Sequence, residues 1–534
     1  MLLIVFGTFR ISPIDVPGHL AMGRWILEHG RPMTQNVLSW SYPDYPNAQQ
    51  YPLYQVAIVL LKDGLGFWSL SVFCAVTWFA AVATWGHWAG GVSRLAKTPI
   101  LWFLAVVGVQ RHLVARPQVA TVLGLAVLLV LFERWRDRPT ERAPLVGMVI
   151  TLWFMVNAHQ MYIIGVVLLA GFAVHVGLTR ALAGRGWLDE RDAELPLRPL
   201  VITFLVGFGV MALSPLGPRA WIAPWELVTT MLALGSDGSR GAESAELEPI
   251  WTDPLGGPVT AMLLVAVAIS AYRSRGRWSV LELGVLAMGL GLVGMALRGI
   301  PFFALAAASV ITRWDAKARR PMFDEDSLVP GASALTVIVL ASAIVVGQLT
   351  PREHVYLKRQ QGLGQSVGDW GEDHAAFLRD NPPPGEMLNI GWVGANYLTY
   401  GVYPVKRVFV DGRWEAYPKA FLTRTIAGER DQAVLDGLIE EYDPGFVVGE
   451  MRDKNQQARV ATLIARGWTL VYVDSIAVVA VRPSPASVAY RARWGTTCAR
   501  AEIPDWLPEH RVLHAQQQIR VAGFLRACGE DARA

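Results

Sequence analysis

The residues best suited to chemistry fall in one segment, 13–52. It opens on Asp15-Val16-Pro17-Gly18-His19 and continues with Arg24, Glu28, His29 and Arg31. The segment lies between two apolar runs, and no later segment of the apolar part puts so many ionisable side chains so close to a membrane boundary. Ionisable groups at such a boundary are costly to keep and mark function. Asp15 is therefore expected at the outer face of a membrane-embedded cavity, acting on a lipid-carried substrate. It also suits a purely local task, the N-cap of a helix that starts near Pro17. His19 stands four residues on and shares a helix face with Asp15. It reads either as a hydrogen-bonding partner for Asp15 or a phosphate, or as an interfacial histidine.

Further candidates lie where apolar runs end. Asn157 and His159 close one run, and Arg298 closes another. A guanidinium suits a phosphate because its planar fork grips two oxygens at once, yet an arginine at a helix end also snorkels to lipid head groups. Arg111 and Arg116 carry the same two readings. Glu246 and Glu248 sit in a loop, 215–257, whose Gly- and Ser-rich middle can close over a substrate; solvated loop acids are the alternative. Asp411-Gly412-Arg413 follows a strand-like run and reads as a turn with a local ion pair, or as an acceptor contact. The three cysteines contain no CxxC pair, which argues against a structural zinc site.

The elements that must position these residues are mostly apolar. The chain has 534 residues, 53% hydrophobic and 17% charged, against about 25% charged in soluble domains. Apolar runs fall at 1–12, 66–90, 98–110, 117–133, 143–157, 160–178, 199–214, 258–272, 279–297, 300–313 and 331–349, about eleven membrane spans. Met1–Ile11 lacks a basic leader and a cleavage site and reads as the outer half of a first membrane helix, with a start that is truncated or misassigned. The run 53–61 is too short to cross and reads as interfacial or re-entrant. With a cytoplasmic N-terminus, the inner loops collect Arg94 and Lys97, Arg134–Arg142, Arg180–Arg198, Arg273–Arg277 and Arg313–Arg320, as the positive-inside rule requires. The segment 13–52, Asn157–His159, the loop 215–257 and everything after 350 then face outward. A net charge of only +4 gives no reason to expect nucleic acid.

Residues 350–483 are richer in charge and alternate helical with strand-like runs. Asp369–Asp380 is expected to be helical, with strands at Met387–Ile390, Arg407–Val410, Phe446–Val448, Thr469–Val473 and Ala477–Val481 and helices near 415–425, 430–441 and 454–466. This predicts a small α/β domain, followed by a polar, partly helical tail, 484–534. Cys498 and Cys528 lie in that tail and are expected to pair, since an outer compartment is oxidising.

The segment 13–52 resembles the first loop of a bacterial branch of the GT-C glycosyltransferase superfamily, multi-spanning enzymes that use polyprenyl-phosphate sugars. The matching pieces are Asp15, His19-Leu20, Gly23 and Asn36-Val37-Leu38-Ser39. The likeness continues through Arg116-Pro117-Gln118, Asn157-Ala158-His159, Ser214-Pro215, Glu248-Pro249-Ile250-Trp251, Arg298, Trp392–Leu398 and Phe409-Val410-Asp411-Gly412-Arg413. It implies a GT-C-like membrane domain over 1–349 with the α/β domain on the outer face. It also implies a base role for Asp15 and substrate contacts from His19, Arg24, Asn36, Asn157, His159, Glu248 and Arg298. The partners implied are a lipid-linked sugar donor, an acceptor that is glycan, lipid or protein, and membrane lipids. Three departures stand out: Pro17-Gly18 replaces an aromatic spacer, Asn36 stands where a second acid is common, and Gln50-Tyr51-Pro52-Leu53 replaces a His-Glu-Trp-Leu-like run. No cofactor is implied with certainty, and a divalent metal lacks its second acid. The alternative is a catalytically inactive protein of the same fold that binds lipid-linked glycan or scaffolds envelope assembly. A transporter ranks last, because no internal repeat is present.

Overall fold

The computed structural model describes residues 10–11, 15–185, 189–226, 229, 249–253, 255–274, 278–318, 363–366, 370–391, 394–498 and 511–531. The apolar run 331–349, nearly all of 1–12, and Glu246 and Glu248 lie outside the described residues. By its contacts the chain divides into two units: Met1–Arg10, Gln50–Tyr54 and Leu61–Gly364 form one, and Ile11–Gln49, Gln55–Leu60 and Gln365–Ala534 the other.

The first unit is a helical bundle. Trp68–Ala89, Gln118–Asp137, Gln160–Leu182 and Gly256–Arg273 are long and apolar enough to cross a membrane, while Pro99–Val109, Ala143–Ala158, Leu197–Leu213 and Val280–Met295 are apolar but shorter. Several carry large apolar side chains outward, such as Ile150, Leu205 and Val265, each 59% exposed. Such surfaces suit lipid rather than water. Proline stands in the first turn of Pro52–Leu65, Pro99–Val109, Ala143–Ala158 and Ile300–Lys317, where its missing N–H costs nothing. The helix Ile300–Lys317 is the axis of the bundle. It is buried nearly all round from Ile300 to Trp314 and packs against Trp68–Ala89, Pro99–Val109, Gly256–Arg273 and Val280–Met295. Its alanines, with Gly108 and Gly289 opposite, allow close backbone approach: a Cβ on Gly289 would stand 3.0 Å from the Phe303 backbone. The short run at 53–61 is longer than expected, a 14-residue helix Pro52–Leu65 that runs on through Lys62 and Asp63.

At one end of this bundle, charges from four helices meet. Glu282 is fully buried and accepts from Arg313 Nε (2.8 Å), Trp314 Nε1 (2.8 Å) and Lys317 Nζ (2.8 Å). The same glutamate closes a capping box with Ser279 at the start of Val280–Met295. Arg313 also donates to Glu133 and to the Trp88 carbonyl, both at 2.8 Å. His175 and Asp192 pair nearby at 2.8 Å.

The second unit contains a four-stranded sheet in the order β1-β2-β4-β3, with β1 Met387–Asn389, β2 Phe446–Glu450, β3 Thr469–Val473 and β4 Ala477–Val481. β1 runs parallel to β2, and β4 is antiparallel to both β2 and β3. Alternating residues face opposite sides. Met387, Phe446, Val448 and Val479 pack on Glu372–Asp380 and Ala395–Val402. Leu388, Val447, Val478 and Ala480 pack on Lys419–Arg430, Gln432–Tyr442, Lys454–Ala465 and Arg511–Asp531. The expected strand at Arg407–Val410 does not form. Its partners are irregular instead: the Val408 carbonyl accepts from Trp40 N, and Phe409 N donates to the Asn389 side chain. The helix Ala395–Val402, not foreseen from the sequence, fills the gap after β1. Cys498 and Cys528 form the expected disulfide, and Cys74 is buried and in no disulfide.

Candidate functional site

Asp15 occupies the N-cap position of Val16–His29, but its side chain makes no cap hydrogen bond there; its carbonyl accepts from His19 N at 3.1 Å. Local capping therefore does not account for the carboxylate. His19, one turn on, is buried and has Nδ1 3.3 Å from Gln55 Nε2. Arg24 lies a further turn along, its guanidinium 4.8 Å from the centre of the Tyr400 ring. His29 ends the helix, stacked on Trp25 at 4.0 Å.

Pieces far apart in sequence meet around this helix. A Cβ on Gly18 would stand 3.0 Å from Asn396 Oδ1, and one on Gly412 2.9 Å from Asn396 Nδ2. Asn396 thus lies between the helix and the 411–413 turn, and Gly18, where an aromatic spacer is usual, leaves room for it. In that turn Arg413 grips Asp411 with two nitrogens, Nη2 to Oδ2 at 2.6 Å and Nε to Oδ1 at 2.9 Å. Both residues are buried, Asp411 at 1% and Arg413 at 7% exposure. Asn36 completes the cluster: its oxygen accepts from Arg413 Nη2 at 2.6 Å and its nitrogen donates to the Ala416 carbonyl at 2.9 Å. An acid at this position would put a second carboxylate against a guanidinium already paired with Asp411. Burial pushes the Glu415 carboxyl above its ordinary range, although Arg413 pulls it down.

In the bundle, the first turns of Gln118–Asp137 tie two candidates to one place. Gln118 Nε2 donates to the Arg298 carbonyl at 3.0 Å, and Thr121 Oγ1 meets His159 Nδ1 at 2.7 Å. The His159 ring also lies 6.0 Å from Tyr51, whose hydroxyl bonds Gln160. Asn157 donates to the Trp153 carbonyl of its own helix at 2.9 Å. The candidates thus form two groups: Asp15, His19, Arg24 and Asn36 in the second unit, and Asn157, His159 and Arg298 in the first.

Sequence reasoning passed over Gln49 and Gln55, amides that carry no catalytic signal of their own. It also passed over a buried pair in the sheet unit, where His374 Nδ1 lies 3.5 Å from Asp474 Oδ2. Burial opposes ionisation of Asp474, but His374 and the N–H groups of Ile476 and Ala477 hold its carboxyl below the ordinary range. Among the described residues no group of three or more His, Cys, Asp or Glu stands placed to hold a metal ion.

No protein-family model matches the chain, and no curated protein matches it by sequence. Solved structures match it in fold. The oligosaccharyltransferase AglB of Archaeoglobus fulgidus, in complex with an inhibitory peptide and a dolichol-phosphate, superposes with a TM-score of 0.55 at 12% identity, over 86% of this chain and 69% of that one. The apo form of the Archaeoglobus fulgidus oligosaccharyltransferase gives 0.55 at 12% identity, over 90% and 71%. The mycobacterial arabinofuranosyltransferase AftD gives 0.51 at 15% identity, over 91% of this chain but 41% of that one. The chain thus shares the fold of these solved oligosaccharyl- and arabinofuranosyltransferases.

Proposed function

We propose that the chain is an integral-membrane glycosyltransferase that moves a sugar from a polyprenyl-phosphate donor to an extracytoplasmic acceptor. The observation that carries this reading is Asp15, a carboxylate at the head of Val16–His29 that the helix does not use as a cap, on a fold shared with an enzyme solved with a dolichol-phosphate. Asp15 takes the proton from the acceptor hydroxyl, whose oxygen bonds to the anomeric carbon. The bond from that carbon to the phosphate oxygen breaks, and polyprenyl phosphate leaves with the electron pair. A positioned base is worth roughly 10²–10⁴-fold. His19 and Arg24 contact the phosphate, whose growing charge cations and N–H donors stabilise. Asn157, His159, Glu248 and Arg298 are candidate substrate contacts of the membrane part. Asn36 serves the site by holding Arg413.

The same proposal includes a membrane part, 1–349, with about eleven spans, an extracytoplasmic α/β part, 350–483, and the tail 484–534, in a bacterial cytoplasmic membrane. The asymmetry of basic residues between loops supports it. Lys419→Cys is expected to react with a membrane-impermeant maleimide in intact cells, and Arg138→Cys to be protected. The opposite pattern inverts the topology.

One observation favours a second reading, an inactive protein that binds lipid-linked glycan: the position of the usual second acid is held by Asn36, with both ends of its amide engaged. Purified protein, incubated with polyprenyl-phosphate sugars, is expected to release polyprenyl phosphate. Binding without release decides for the second reading.

A further inference from the structure

Two buried amides lead to His19. Gln49 Oε1 accepts from Met33 N at 2.9 Å, and Gln49 Nε2 donates to the Met22 carbonyl at 3.1 Å. A backbone N–H only donates and a carbonyl only accepts, so these two partners fix which end of the Gln49 amide is which. Its nitrogen also donates to Gln55 Oε1, so Gln55 presents oxygen to Gln49 and nitrogen to His19. That nitrogen lies 3.3 Å from His19 Nδ1. An amide NH₂ has hydrogens to give and no lone pair to offer, so Nδ1 accepts, and in the neutral ring the proton sits on Nε2. Gly23 makes the contact possible: a Cβ there would come within 2.3 Å of the Gln55 carbonyl oxygen, so a larger residue would force Val16–His29 and Pro52–Leu65 apart. Gln49 and Gln55 are fully shielded from solvent or nearly so, which keeps water from competing for these bonds.

We infer that Gln55, oriented by Gln49, is a positioning residue that holds neutral His19 as the Nε2–H tautomer, so that His19 meets a phosphate oxygen as a hydrogen-bond donor and leaves the base role to Asp15. The second half rests on the function proposed above; the tautomer does not. Histidine-selective ¹⁵N NMR of the full-length protein, with the His19 signal assigned by its loss in His19→Asn, reads the tautomer without any substrate. Wild type is expected to be protonated at Nε2. In Gln55→Glu the carboxylate still accepts from Gln49 but now also accepts from His19, moving the proton to Nδ1. Transfer then falls about a hundredfold, the loss typical of one misdirected donor. An Nδ1–H ring in wild type overturns the relay whether or not Gln55→Glu folds. A ring that switches in Gln55→Glu with transfer intact overturns the donor role alone.

Discussion

Asp15→Asn is expected to express and unfold like wild type while transfer falls by about two orders of magnitude or more. The substitution keeps the shape of the side chain and removes its ability to take a proton. Stability should hardly move, because the helix Val16–His29 draws no cap hydrogen bond from this side chain. For the same reason Asp15→Ala should not incur the roughly 1 kcal/mol specific to a lost N-cap hydrogen bond. This separates two roles that are entangled in most capping acids: a loss of transfer in both variants with unchanged melting temperatures isolates the base. Full transfer by Asp15→Asn would remove Asp15 from the chemistry and leave the fold untouched.

Glu282→Ala is expected to have the opposite signature, a large loss of stability spread over the whole bundle. Glu282 is the shared acceptor of Arg313, Trp314 and Lys317, and its removal leaves buried cations facing one another. Breaking a buried pair from one side costs about 3–5 kcal/mol. Arg313 keeps Glu133 and the Trp88 carbonyl, which limits the damage on its side; Lys317 keeps Asp189 at 3.5 Å. Glu282→Gln should fall between wild type and alanine, since it keeps an acceptor oxygen but turns an amide N–H toward donors. Thermal unfolding in detergent reads both. A Glu282→Ala midpoint within a degree or two of wild type would mean that the network contributes nothing.

The apolar runs between 66 and 313 each correspond to a helix, because a membrane-type helix announces itself by uninterrupted hydrophobicity. Residues joined across the fold were harder to see. Glu282 lay inside an apolar run; its only local signal was Ser279 three residues before it, and nothing in the run pointed to Arg313 or Glu133. The basic loops expected on the inner side are legible for their sign alone, yet part of that charge is engaged with Glu133, Glu282, Asp189 and Asp192. Arg407–Val410 had the composition of a strand but pairs with a side chain and a loop, a choice made by tertiary partners rather than by propensity. Gln49 and Gln55 give no signal at all, since an amide's orientation depends on neighbours 6 to 36 positions away.

The short apolar helices have a consequence for the bilayer itself. Ala143–Ala158 and Val280–Met295 have 16 residues and Leu197–Leu213 has 17, which at 1.5 Å per residue gives lengths of about 24–26 Å. A hydrocarbon core is about 30 Å thick. Ala143–Ala158 and Leu197–Leu213 turn bulky apolar side chains outward, so surrounding lipid meets a hydrophobic belt several ångströms too short. The membrane then thins against that side of the bundle. For the lipid-linked donor proposed above, membrane thickness on that side would set how far its head group must travel to reach the protein.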